Sequence, residues 1–230
     1  MPPSQKPSPS LNPPSRLDTL FGPARRLYAI VDVEACARAE RAPADVARAF
    51  FSAGATCLQL RGKSLSSRDF LDLANVVTYE ASDAGATVII NDRADVALLS
   101  GACGVHVGQE DLSPADARAV VGAGSLVGLS THTAEQWSAA VTEPISYMAI
   151  GPAFGTSTKD TGYNPVGLEV IREASRVAGA HGLPTVAIGG ITLENAVSVV
   201  DAGAAAVAVI TDLLNGDPET RCRAFLRILE

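Results

Sequence analysis

Residues 89–111 read IINDRADVALLSGACGVHVGQED. Two short apolar runs, 87–90 and 104–107, are each followed closely by polar and acidic residues, and between them 94–99 carries helical periodicity. That order is strand, turn, short helix, strand. In parallel α/β folds ligands bind where the strands end. Asp92 and Asp111 stand just past two such ends, and two carboxylates converging there suit a magnesium ion that holds a diphosphate.

The same rhythm extends in both directions. Apolar runs at 27–31, 57–60, 87–90, 104–107, 126–129, 147–150, 185–188 and 206–210 alternate with amphipathic segments at 43–52, 67–84, 94–99, 114–121, 134–141, 165–177, 193–202 and 218–229. Ser113-Pro114 and Asp217-Pro218 place a capping residue before a proline at the first turn. Gly-Ala pairs at 54, 85, 101 and 203 precede strands, where small residues let a helix turn tightly into a strand. Strict alternation repeated eight times predicts a (β/α)8 TIM barrel as a single domain over 26–230; an open doubly wound sheet rarely needs eight repeats. Residues 1–25 are rich in Pro and Ser with little to bury, and are expected to be a disordered tail.

Composition narrows the function. Of 230 residues 47% are hydrophobic but only 5% aromatic, which fits helices packed on parallel strands. The net charge of -7 is opposite in sign to that of a nucleic-acid binder, so no nucleic-acid partner is expected and any anionic ligand must be met by a local basic cluster. No apolar run approaches the ~20 residues of a membrane span, no membrane partner is expected, and the N-terminus lacks an apolar signal core. Four widely spaced cysteines contain no Cys-x-x-Cys and read as buried thiols of a cytoplasmic protein. A homo-oligomer is compatible with the sequence.

The second strand runs into Gln59-Leu60-Arg61-Gly62-Lys63. Alternation puts Gln59, Arg61 and Lys63 on one side. At a strand's end these charges form an anion site, or pair structurally with a nearby carboxylate; with Asp92 and Asp111 on the neighbouring strands, the diphosphate–metal site is favoured. After the fifth strand, Ser130 is placed to donate to a phosphate. His132 could act as acid or base but has no visible partner to orient it. His106, between valines, reads as a packed and satisfied histidine, and His181 as a surface residue. The loop 151–160 carries three hydroxyls and Lys159 and could close over a ligand. Gly189-Gly190 and Thr211 follow the seventh and eighth strands, where barrels frequently bind a monophosphate. No signature of a serine hydrolase, redox cofactor or Walker sequence is present.

Together Gln59-x-Arg61-x-Lys63, Asn91-Asp92, Gly108-Gln109-Glu110-Asp111-Leu112, Ser130-Thr131-His132-Thr133, Gly151-Pro152, Thr156-x-Thr158-Lys159 and Ile188-Gly189-Gly190-Ile191 resemble the thiamine phosphate synthase family. The likeness covers residue 27 to the C-terminus. It implies a (β/α)8 barrel that joins a hydroxymethylpyrimidine diphosphate to a thiazole phosphate. It further implies magnesium on Asp92 and Asp111, and pyrimidine diphosphate on Gln59, Arg61, Lys63, Asn91, Ser130 and Lys159. Arg61, Lys63, Ser130 and Lys159 would assist the chemistry, and thiazole phosphate would sit on Thr156, Thr158, Gly190, Ile210 and Thr211. Thr211 stands where a serine is more familiar, and Gly62 where an acidic residue is more usual. The competing readings are a thiazole tautomerase, which handles no diphosphate, and a non-catalytic phosphate-ligand sensor.

Overall fold

The computed structural model describes residues 20–22, 26–155 and 163–230. Eight parallel strands close into one barrel in chain order: β1 Leu27–Asp32, β2 Cys57–Arg61, β3 Thr87–Asn91, β4 Gly104–Val107, β5 Leu126–Thr131, β6 Tyr147–Ile150, β7 Thr185–Ile188 and β8 Ala206–Val209. β1 closes the ring on β8 through Leu27 opposite Val207. The expected (β/α)8 architecture is therefore the observed one.

The helices around it are α1 Val33–Arg38, α2 Pro43–Ala53, α3 Ser67–Ala84, α4 Ala94–Ser100, α5 Pro114–Val121, α6 Ala134–Ala140, α7 Gly167–Ala180, α8 Ala196–Asp201 and α9 Pro218–Ile228, with a 3-10 turn at Thr211–Leu214. Ser66, Ser113 and Asp217 each accept a backbone N–H three residues on, as N-caps should. All four Gly-Ala pairs end a helix in the same way: the glycine takes a positive φ and the alanine N–H returns to a carbonyl five residues back. None of these helices is long and apolar enough to cross a membrane.

Two layers of apolar side chains hold the fold. One lies between strands and helices and includes Leu58, Ile90, Val105, Phe50 and Phe225. The other fills the barrel and includes Tyr28, Ile30, Ile89, Leu126, Tyr147 and Val186. Leu20 and Phe21 belong to this inner layer, although the sequence assigns them to the tail. Leu20 is fully buried, and the Phe21 ring stands edge-on to Tyr28 and Tyr147 with centroids 6.3 and 5.5 Å away. The folded unit thus includes Leu20–Gly22, because the barrel's lower mouth needs an apolar plug that its own strands leave unfilled.

Other differences are local. α1 was not expected; it starts directly off β1 because Asp32 ends the strand and caps the helix at once, its carboxylate accepting the Ala35 N–H at 2.7 Å. α7 begins at Gly167 rather than Pro165, since Val166 and Gly167 donate to Pro152 and Ala153 of the preceding loop. α8 begins at Ala196 rather than Leu193, since Asn195 ties Thr192 and Gly190 into a turn.

Truncating the buried plug should be costly. Leu20→Ala is expected to lower unfolding free energy by about 2–5 kcal/mol in chemical denaturation; an unchanged midpoint would place Leu20 outside the folded unit.

Candidate functional site

The site-bearing residues gather at the C-terminal rim of the barrel, in two halves. The charged half sits on β1 to β4. Arg61, the last residue of β2, forms an ion pair with Asp32 at the end of β1, and Glu34 approaches the same guanidinium nitrogen at 3.5 Å. Asp32 is only 3% exposed, and Arg61 compensates its charge. The structural pairing expected as one reading of Arg61 is present: the guanidinium is fixed by acids on one side. The sequence reading missed Asp32 and Glu34, although Asp32 carries the same signal as Asp92, an acid at the end of an apolar run.

Asp92 follows β3 directly, in the left-handed region at φ 63, a conformation aspartate tolerates better than most residues. Its backbone N–H donates to the His106 carbonyl at 2.7 Å. Its carboxylate meets Lys63 Nζ at 2.9 Å, and Asp111 stands close enough to act on it electrostatically. Burial raises the Asp92 pKa; Lys63 opposes that rise and Asp111 adds to it. Asp111 is itself held by the Gly108 N–H at 2.7 Å. The two aspartates, distant in sequence, thus share one spot, and Lys63 neutralises part of their charge. Asn91 is buried at the end of β3, opposite His106 of β4. Gln59 lies deeper in the barrel, where its Nε2 donates to the Tyr28 hydroxyl at 3.0 Å.

The second half is a cavity of about 320 Å³ over the ends of β5 to β8, whose lining includes Ser130, His132, Gly190, Ile210, Thr211 and Asp212. Gly189 and Gly190 have φ values of 100 and 63, and a Cβ at either would lie 2.5 Å from a loop atom, on Pro152 or on the Gly155 carbonyl. The pair is thus needed for backbone shape and close approach. Ile210 and Thr211 both line this cavity. Ser130 joins the halves: it lines the cavity, and its Oγ lies 2.8 Å from Nε2 of His106 on β4.

His132 has the orienting partners its sequence context did not reveal. Nδ1 lies 2.6 Å from the Gly151 carbonyl, which only accepts, so Nδ1 carries the proton; the ring stacks on Tyr163 at 4.2 Å. His106 is buried and hydrogen-bonded on both nitrogens, and His181 is exposed. Asp212, also missed, is buried beneath the cavity. It accepts from Arg221 at 2.8 Å and from the Leu193 N–H at 3.1 Å, which locks the loops after β7 and β8 to α9. Thr156, Thr158 and Lys159 lie outside the described residues.

Residues 27–213 match the family model described as thiamine monophosphate synthase. A thiamine-phosphate synthase of Koribacter versatilis is 46% identical over 207 residues, covering 89% of this chain and 95% of the relative. One from a Roseiflexus species is 39% identical over 204 residues, covering 88% and 84%. The solved thiamine phosphate pyrophosphorylase of Pyrococcus furiosus superposes with a TM-score of 0.80 at 26% identity, covering 90% of this chain and 96% of that one.

Asp32→Asn keeps an oxygen for the Ala35 cap but removes the charge facing Arg61. A loss of about 1–3 kcal/mol in unfolding free energy is expected, and an unchanged denaturation midpoint would mean the ion pair adds nothing to stability.

Proposed function

The chain belongs to the thiamine monophosphate synthase family, and from that membership we propose that it is a transferase joining a hydroxymethylpyrimidine diphosphate to a thiazole phosphate, releasing thiamine phosphate and pyrophosphate. The observation that carries this reading is the meeting of Asp92, Asp111 and Lys63 on one rim, beside a cavity lined by Ser130, Gly190 and Thr211.

The acids fit magnesium. Among the described residues no third His, Cys, Asp or Glu joins them in a metal-binding group, and magnesium usually takes one or two carboxylates and completes its shell with water and substrate phosphates. A half-buried Asp92 with a raised pKa, beside a second aspartate, is a pair short of positive charge. Asp92 and Asp111 would hold the ion, which when bound supplies charge to the leaving diphosphate.

The chain's own residues do the remaining work. Arg61, Lys63 and Lys159 place fixed positive charge around the diphosphate, and Ser130 and Asn91 offer it hydrogen bonds. With its N–H donated to Tyr28, Gln59 has its amide oxygen left to accept from the aminopyrimidine. The bond between the pyrimidine methylene and the diphosphate oxygen breaks first. The aminopyrimidine ring spreads the positive charge left on that carbon, and the thiazole nitrogen then attacks it. Gly190, Ile210 and Thr211, joined by Thr156 and Thr158 from the 151–160 loop, hold the thiazole phosphate so that its nitrogen faces the methylene. The protein supplies no nucleophile or strong base; positioning and charge stabilisation supply the rate. We also place the reaction in the cytoplasm: burial pushes the free thiols of Cys36 and Cys222 up to about 11 and about 12, which suits cysteines kept reduced.

Purified protein incubated with both phosphorylated heterocycles and magnesium should form thiamine phosphate and pyrophosphate in equal amounts; formation of neither contradicts the reading. Asp92→Ala and Lys159→Ala should each lower turnover by more than about tenfold while the circular dichroism stays native. Unchanged turnover in a folded variant would exclude that residue from holding the metal or the diphosphate.

A further inference from the structure

A continuous chain of hydrogen bonds runs through the middle of the barrel. Gln59 Nε2 donates to the Tyr28 hydroxyl at 3.0 Å, Tyr28 and Tyr147 hydroxyls are 2.8 Å apart, the Tyr147 hydroxyl is 3.0 Å from His106 Nδ1, and His106 Nε2 is 2.8 Å from Ser130 Oγ. Both tyrosines are essentially inaccessible, and Gln59 and His106 are 4% and 7% exposed. Polar groups this deep must be paired, and each donor must meet an acceptor.

With the Gln59 Nε2 end facing Tyr28, that requirement assigns each proton in the chain. Gln59 presents an N–H to Tyr28, so the Tyr28 hydroxyl proton has only Tyr147 to receive it. The Tyr147 proton then goes to His106 Nδ1, which must be unprotonated. The imidazole proton is therefore on Nε2 and is donated to Ser130. Ser130, already accepting from His106, has its own proton left to donate into the cavity. The opposite tautomer or a doubly protonated ring would put N–H against Tyr147 and leave one of the two buried tyrosine hydroxyls without an acceptor. Gly128 is part of the arrangement: a Cβ there would lie 2.4 Å from the Tyr147 oxygen and 2.5 Å from His106 Nδ1.

We propose that His106, with Tyr147 behind it, is a positioning residue that locks the Ser130 hydroxyl as a hydrogen-bond donor towards the leaving diphosphate. This rests on the proposed transferase activity and adds that the serine's direction is set from deep inside the barrel. Without the chain a serine hydroxyl rotates and could equally donate to His106. With it, the donor is aimed before substrate arrives, as preorganised stabilisation of a developing negative charge demands.

The test has two parts. Nitrogen-15 NMR of the substrate-free protein near neutral pH should show His106 as the Nε2–H tautomer, and Tyr147→Phe should abolish that preference. In turnover, Tyr147→Phe should lower kcat about tenfold, as loss of an outer hydrogen-bond partner typically does, with KM for the thiazole phosphate unchanged. In a Ser130→Ala background the same substitution should change kcat by less than about twofold. A proton on Nδ1 or on both nitrogens in the unsubstituted protein overturns the proposal, and so does a Tyr147→Phe loss that persists at full size without Ser130. If the unsubstituted protein makes no thiamine phosphate, the transferase reading fails instead; the tautomer, read without substrate, still decides the hydrogen-bond chain.

Discussion

Arg61 and Asp32 meet at the top of the barrel with little water around them, and much of the rim is arranged around that ion pair. A guanidinium placed at a strand end to face an anion is unfavourable there unless something neutralises it when no anion is present. Asp32 does so from the adjacent strand, with Glu34 beside it. The same solution recurs one strand further on, where Lys63 neutralises Asp92 and, through it, the Asp92–Asp111 pair. Positive and negative groups alternate around the rim, so that the proposed diphosphate and its metal would exchange partners within an existing network. The net charge of -7 is no obstacle, because the field felt by the ligand is set within one Debye length of these few groups.

Beneath the rim, the barrel interior is not wholly apolar. A column of Gln59, Tyr28, Tyr147, His106 and Ser130 passes through it, satisfied at every step. Apolar residues such as Ile30, Ile89 and Val186 surround the column and exclude the water that would otherwise compete for its hydrogen bonds. Packing and function are thereby joined: Phe21 plugs the lower mouth against Tyr28 and Tyr147, the same two rings from which the hydrogen bonds climb to the site.

The strands were legible because a parallel strand buried on both faces must be a largely apolar run, and at Tyr147–Ile150 and Gly104–Val107 the run in the sequence and the strand in the barrel coincide. Gly190, Ile210 and Thr211 were legible as rim residues because they end or follow such runs. α1 was hidden because a single residue, Asp32, serves as both strand end and helix cap. The starts of α7 and α8 were hidden because backbone bonds from distant loops, and one asparagine side chain, decide them. His106 read correctly as a packed histidine, but its value lies in what it touches: Tyr147 is 41 positions away, and no local pattern links them. The roles of Asp32 and Asp212 escaped for the same reason, since each is defined by an arginine from another element.

The claim that the acidic–basic rim holds a diphosphate together with magnesium is tested most directly by calorimetric titration of inorganic pyrophosphate into the protein, with and without magnesium, alongside Asp111→Asn. Binding should require magnesium and weaken by at least about tenfold in the variant. Equally tight binding without the metal, or undiminished binding to the variant, would contradict it.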